Sequence, residues 1–167
     1  MRSGEIIENE NMATEIERKF LVRSDIWRPT DTGTRIRQGY LRADDRCTVR
    51  VRVADRHASI TIKASQTALT RHEFEYKIPR GDAEALLAQL CGPLVEKTRY
   101  RETVQSHVWE IDIFHGANEG LAIAELEMAS ETEAFASPPW LGAEVSDDPR
   151  YYNSNLAKVP YTRWTAR

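Results

Sequence analysis

The sequence predicts an α+β protein, mainly antiparallel β, whose strands surround a charged interior. Three observations carry that expectation. Apolar and polar residues alternate with a period of two through most of the chain, the pattern of strands with one buried face. The polar positions of individual strands carry charges of a single sign, such as Glu15/Glu17 and Arg50/Arg52. Turn-forming residues separate the alternating runs: Asp44-Asp45, Asp55, Gly81, Gly116-Ala117-Asn118 and Gly120.

The first run sets Glu15, Glu17, Lys19 and Leu21 on one face and Ile16, Arg18, Phe20 and Val22 on the other. Ser24 is placed to cap a single turn through Trp27, before Pro29. Thr48 to Val53 alternates valine against arginine, and Ser59 to Lys63 sets Ile60 and Ile62 opposite Thr61 and Lys63. Glu73 to Lys77 follows as the next strand. Asp82 then caps a helix from Ala83 to Cys91, with Leu86, Leu87 and Leu90 as its apolar face and Gly92-Pro93 as its stop. Lys97 to Arg101, Trp109 to Ile113 and Ile123 to Met128 complete the strands. Ser130 and Glu133 have capping-box spacing for a short helix through Phe135, ended by Pro138-Pro139. Asp148-Pro149 starts a last helix that carries Tyr151, Tyr152 and Leu156, with proline in the tolerated first turn. The chain shows no internal repeat or interdomain linker. One domain is expected over residues 13–158, with 1–12 as a disordered leader and 159–167 as a C-terminal tail.

Composition removes several function classes. The 167 residues suffice for one domain with a real core, and 41% apolar with 29% charged residues is ordinary for a soluble globular protein. No apolar run approaches the ~18 residues of a membrane span, and residues 1–11 lack the basic start and apolar stretch of a signal peptide. The expectation is a cytoplasmic protein with no membrane partner. Cys47 and Cys91 form no CxxC pair and read as buried or idle thiols. His57, His72, His107 and His115 show no HxH or HExxH spacing, so no zinc site is expected. The net charge of −3 argues against non-specific nucleic-acid binding. Trp27, Trp109, Trp140 and Trp164 do not alternate with the basic pairs, as a base-stacking platform requires, and read as core or cover.

The same-sign pairs are the main functional clue. Glu15/Glu17, Glu73/Glu75, Glu110/Asp112 and Glu125/Glu127 are acidic, whereas Arg50/Arg52 and Lys97/Arg99 are basic. These residues alone leave two readings open. An antiparallel sheet with one solvated face carries charges at alternate positions, although such faces usually pair opposite charges across strands. Alternatively, the charged faces meet around a ligand. Clustered carboxylates supply oxygen to a hard cation such as Mg²⁺, and Arg and Lys grip phosphate. A surface holding both suits a polyphosphate that carries metal ions. Seven or eight such strands closed into a barrel put the apolar faces outward and the charged faces into the lumen. That interior is costly unless water, metal and ligand fill it.

At Glu15-Ile16-Glu17-Arg18-Lys19 the chain resembles the ExExK signature of the CYTH superfamily, the triphosphate tunnel metalloenzymes. The signature alone is short. Its support comes from Arg37-Gln38-Gly39-Tyr40-Leu41, Arg50-Val51-Arg52, Thr61-Ile62-Lys63, Glu73-Phe74-Glu75 and Val95 to Tyr100, in order. Glu110-Ile111-Asp112, Glu125-Leu126-Glu127, Tyr151-Tyr152-Asn153 and Leu156-Ala157 follow, so the resemblance spans about Thr14 to Lys158. It is strongest to the small stand-alone bacterial type without an appended helical domain.

The resemblance implies a closed eight-stranded β-barrel forming a triphosphate tunnel, in an enzyme often found as a homodimer. It implies Mg²⁺ or Mn²⁺ on Glu15, Glu17, Glu125 and Glu127, with Asp112 and also Glu110 on the same acidic side. It implies that Lys19, Arg50, Arg52, Lys63, Lys97 and Arg99 line the triphosphate, with Arg37 and Lys158 as further carried-over positions. Lys19 with Tyr40 is the implied catalytic pair. Whether Lys19 is a base or a cationic clamp stays open, because neighbouring arginines lower its pKa and Glu15 and Glu17 raise it. The expected activity is metal-dependent hydrolysis of inorganic triphosphate to pyrophosphate and phosphate. Class IV-type adenylyl cyclase, thiamine triphosphatase and a non-catalytic polyphosphate-binding module are the alternatives.

Overall fold

Short connections fold neighbouring strands back on one another. Asp55 and Gln105 adopt positive φ values of 50° and 55°, the left-handed backbone that tight two-residue hairpin turns demand. They join β3 (Cys47–Ala54) to β4 (His57–Ser65) and β6 (Val95–Val104) to β7 (His107–His115). The computed structural model describes residues 13–44, 46–65 and 70–164, except the side chains of 13–15, 65, 70 and 71. The remaining strands are β1 (Ala13–Val22), β2 (Thr34–Ala43), β5 (Thr70–Lys77), β8 (Ala122–Glu127) and β9 (Leu141–Glu144). Among the described residues two α-helices, α1 (Arg80–Gln89) and α2 (Asn153–Lys158), and three 3₁₀ turns accompany them.

Among the described residues all strand pairs are antiparallel, in one nine-stranded sheet of order β5-β4-β3-β2-β6-β7-β8-β1-β9. β5 also pairs with β1, with Ala13 opposite Glu73 and Ile16 opposite Thr70. β1 therefore shares one edge between β5 and the short β9, and gives the other to β8.

The predicted alternation fixes two faces. Phe20, Trp109, Ile111, Ala124 and Leu126 lie on the opposite face from the charges and form one core with Trp27, Met128 and Trp140. Val51, Val53 and Ala58 form a second core beneath Ala83 and Leu87 of α1. A third cluster differs. Val95, Phe114 and Ile123 stand on the charged face, one step beyond Lys97, Asp112 and Glu125, and Leu156 and Ala157 of α2 pack against them. The charged face thus ends in an apolar plug. Tyr161 and Trp164 pack on that plug, so the described part of the C-terminal tail is docked.

Several local expectations are corrected. α1 begins at Arg80 behind Pro79, Asp82 sits in its first turn without capping it, and the helix stops at Gln89. Leu90 lies beyond its end and is 65% exposed, outside the expected apolar face. Glu133 accepts from the Ala129 N–H at 2.5 Å, one residue before the Ser130 N–H that a capping box requires, and no helix follows. Its side of the chain is drawn inward instead, where the Phe135 ring packs edge-on to Phe20 and Trp109. The turn at Ser24 is closed by the Arg23 carbonyl, which accepts from Ile26 and Trp27, rather than by the serine hydroxyl. The expected last helix is split into a 3₁₀ turn, Pro149–Tyr151, capped by Asp148, and the separate α2. The disordered leader expected over 1–12 lies outside the described residues.

Candidate active site

Strand register decides which side chains meet. Directly opposed residues of an antiparallel pair share a face. Glu17 stands opposite Glu127 and Lys19 opposite Glu125. Glu125 stands opposite Glu110 on its other side, and Asp112 opposite Arg99. Across β2, β3 and β4, Tyr40 faces Arg50, Gln38 faces Arg52, and Arg50 faces Thr61. Lys63 and Thr61 then face Glu73 and Glu75 of β5. The alternating charges therefore converge on one cavity of 1560 Å³, whose walls include Glu17, Lys19, Tyr40, Arg50, Arg52, Lys63, Arg99, Glu125 and Glu127.

Most cations in this cavity are held by carboxylates. The Lys19 Nζ donates to Glu17 Oε2 at 2.7 Å and to Glu125 Oε1 at 2.5 Å. Burial works against the ammonium charge, but Glu125 and Glu17 outweigh it and raise the lysine pKa. Arg99 grips Asp112 through Nε and Nη2, each at 2.7 Å, and also donates to Glu125 Oε2 at 2.5 Å and to Glu110. Burial opposes the Glu125 charge, yet Lys19, Arg99 and Lys97 hold its carboxyl well below the usual range. Lys63 pairs with Glu73 at 2.7 Å. Arg50 donates to the Thr61 hydroxyl at 3.0 Å, and that hydroxyl donates to Glu75 at 2.8 Å.

Arg52 is different. Its Nε donates to the neutral Gln38 Oε1 at 3.1 Å, and no carboxylate pairs with it among the described residues. Burial, with repulsion from Arg50 and Arg99 that the more distant charges of Asp112 and Glu125 offset only in part, pushes its pKa down to about 10. It still carries its charge at neutral pH. Tyr40 accepts from Gln38 Nε2 at 3.3 Å. Burial raises its pKa against the opposing pull of Arg50, Arg52 and Lys19, so its hydroxyl keeps its proton.

Other expected site residues lie elsewhere. Lys97 and Asp112 are 0% exposed and sit beneath the cavity wall, where the Lys97 ammonium donates to Asp112. Burial lowers the Lys97 pKa to about 8. Asp112 is thus engaged by two cations, Lys97 and Arg99. Arg37 points to the other side of β2 and pairs with Glu84 of α1 at 3.2 Å. Lys158 is exposed and donates to the Ala43 carbonyl at 3.0 Å. Neither lines the cavity. The Glu15 side chain lies outside the described residues. Sequence reasoning missed Gln38, which is 0% exposed. Its one signal was its alternate position between Ile36 and Tyr40, and nothing in the sequence paired it with Arg52.

The donor chemistry of Glu17, Glu125 and Glu127 suits Mg²⁺ or Mn²⁺, which take hard oxygen ligands, usually one or two carboxylates beside substrate phosphate. Among the described residues no three His, Cys, Asp or Glu side chains are disposed to hold a metal, and Glu125 is committed to Lys19 and Arg99.

Comparison with known proteins adds an independent line. The CYTH domain model matches residues 13–158. An inorganic triphosphatase of Acetivibrio thermocellus is 46% identical over 151 residues, covering 90% of this chain and 97% of the relative. An inorganic triphosphatase of Nitrosomonas europaea is 39% identical over 150 residues, covering 86% and 97%. A crystal structure of an inorganic triphosphatase superposes with a TM-score of 0.63 at 36% identity, over 87% of this chain and 95% of that one.

Proposed function

The chain belongs to the CYTH domain family, and on that premise we propose that it hydrolyses inorganic triphosphate to pyrophosphate and phosphate with the help of a divalent metal ion. The observation that carries this reading is Arg52, a half-buried guanidinium in the cavity wall with a neutral hydrogen-bond partner and, among the described residues, no carboxylate paired with it. A charge withdrawn from water calls for a counter-charge. With Arg50, Lys63 and Arg99 on the same walls, the counter-charge that fits is a chain of phosphates. The relatives named for inorganic triphosphate cover nearly their full length with this chain, which favours that substrate over nucleotides. The β1–β5 pairing supports reading the strands as a closed tunnel around it.

Hydrolysis of a terminal phosphoryl group depends chiefly on positioning and charge neutralisation. In this reading Arg50, Arg52 and Lys63 hold the phosphate chain from one side and Arg99 and Lys19 from the other. Glu17, Glu125 and Glu127, with Glu15, would hold Mg²⁺ or Mn²⁺, which supplies neutralisation of phosphate charge and an ordered water. Lys19 acts as a cationic clamp rather than a base, because Glu17 and Glu125 keep it protonated. Tyr40 acts as a hydrogen-bond donor. Asp112 and Lys97 serve beneath the wall, where Asp112 fixes the Arg99 fork from behind.

The direct test is phosphate release from inorganic triphosphate, with Mg²⁺, with Mn²⁺ and with EDTA, beside ATP and thiamine triphosphate. Metal-dependent release from inorganic triphosphate well above the other two is expected. No release from any of the three would overturn the reading.

A further inference from the structure

Resting on the functional reading above, we propose that Gln38 is a positioning residue, which presents the undiminished charge of Arg52 and the O–H of Tyr40 to the triphosphate. The direction of each hydrogen bond is fixed by chemistry. A guanidinium has only donors, so the Gln38 amide must turn its oxygen to Arg52, as it does at 3.1 Å. That choice leaves the amide NH₂ for Tyr40, and the phenol oxygen accepts from it at 3.3 Å. The Tyr40 proton is thereby aimed away from Gln38. Tyr40 and Arg52 both line the cavity, so one amide sets two donors toward one ligand.

The neutrality of Gln38 matters as much as its direction. Lys19, Lys63, Arg99 and, through Thr61, Arg50 all have carboxylates beside them. An anionic ligand must compete with those acids for these cations. Arg52 is oriented without being neutralised, because an amide accepts a hydrogen bond yet carries no charge. A glutamate here would have nearly the same shape and would hold Arg52 at least as firmly, but it would remove the charge the ligand needs. Gln38 is fully buried, opposite Arg52 across β2 and β3, so its side chain has no solvent-facing alternative.

The experiment compares the unchanged protein with Gln38→Glu, Gln38→Met, Arg52→Gln and the Gln38→Glu/Arg52→Gln double variant. Affinity for inorganic triphosphate is read by calorimetry in EDTA, and kcat and KM are read with metal. Circular dichroism and thermal unfolding identify any variant that does not fold. Gln38→Glu is expected to weaken triphosphate binding about tenfold or more, the scale of one lost charge contact, with KM moved more than kcat. Gln38→Met, which loses both hydrogen bonds but adds no charge, is expected to weaken binding less. In the Arg52→Gln background the added glutamate is expected to cost clearly less than it does alone, the non-additivity of residues acting through one another. The proposal is overturned if folded Gln38→Glu binds triphosphate as tightly as the unchanged protein. It is also overturned if the Gln38→Glu loss persists in full without Arg52. Should Gln38→Glu not fold, folded Gln38→Met with unchanged affinity and KM overturns it as well. Failure of the unchanged protein to bind or hydrolyse triphosphate would instead bring down the functional reading itself.

Discussion

Lys19 shows how one side chain's role is decided by its partners. Its ammonium lies between Glu17 and Glu125, and their charges raise its pKa against the opposing effect of burial. A group so held donates hydrogen bonds and neutralises phosphate but does not remove protons at neutral pH. Lys19→Arg, which keeps the charge, is therefore expected to retain turnover within about tenfold. Lys19→Met is expected to lose about 10²-fold in kcat, the usual scale for removing one preorganised donor. Equal losses in the two variants would contradict the clamp. Asp112 is decided in the same way. It is fully buried and held by Lys97 and Arg99, so Asp112→Asn leaves the buried Lys97 without its acid and removes one of the three carboxylates that hold Arg99. Breaking a buried pair from one side costs about 3–5 kcal/mol. Thermal unfolding of Asp112→Asn is expected to occur well below that of the unchanged protein, and an unchanged midpoint would remove Asp112 from this role.

At the scale of elements, the strands were legible because the period of two survives wherever a strand has one apolar and one charged face. Where the local pattern misled, a physical reason is visible. β2 inverts the rule: Thr34, Ile36, Gln38 and Tyr40 occupy its inward positions in register with Arg99, Lys97 and Arg52, while Arg37 turns outward to Glu84. The family resemblance therefore carried Arg37 to the lumen, and a search for charged pairs passed over Gln38. β9 has only four residues, Leu141–Glu144, too few to show a period. It is held by pairing with β1 and by the Trp140 carbonyl accepting from Arg23 at 2.8 Å. The region around it depends on Glu102, on the outward face of β6. Its two carboxylate oxygens accept from the Trp27 and Trp140 indoles, each at 3.0 Å. Glu102→Gln exchanges one acceptor for an NH₂ that meets an indole N–H head on. An unmade buried hydrogen bond costs about 1–3 kcal/mol, so a melting point lower by roughly 3–10 °C is expected. Triphosphate hydrolysis at 25 °C should be retained, because Glu102 faces away from the cavity. A melting point equal to that of the unchanged protein would show that the two indoles do not depend on this acid.

At the scale of the whole molecule, the cavity is a network in which acids and bases restrain one another before any ligand arrives. Glu125 joins Lys19 to Arg99, Arg99 joins Glu125 to Glu110 and Asp112, and Lys63 is joined to Glu73. A divalent cation arriving alone would have to take Glu125 from two cations. A triphosphate arriving alone would have to take those cations from their acids. Each ligand frees the partner the other needs, so the two should bind with positive coupling, and by thermodynamic necessity the coupling is reciprocal. Calorimetry with Mg²⁺ and a triphosphate analogue bridged by nitrogen, which prevents turnover, measures each ligand with and without the other. After correction for the Mg²⁺–triphosphate complex that forms in free solution, each is expected to tighten the other by about 5–150-fold, the range of typical coupling energies. Glu125→Gln removes the shared acid and should reduce that factor toward one. Independent binding in the unchanged protein would mean that the ion pairs yield without cost. The carboxylates would then act as a preassembled metal site, and the network would be a consequence of the fold rather than a gate on its ligands.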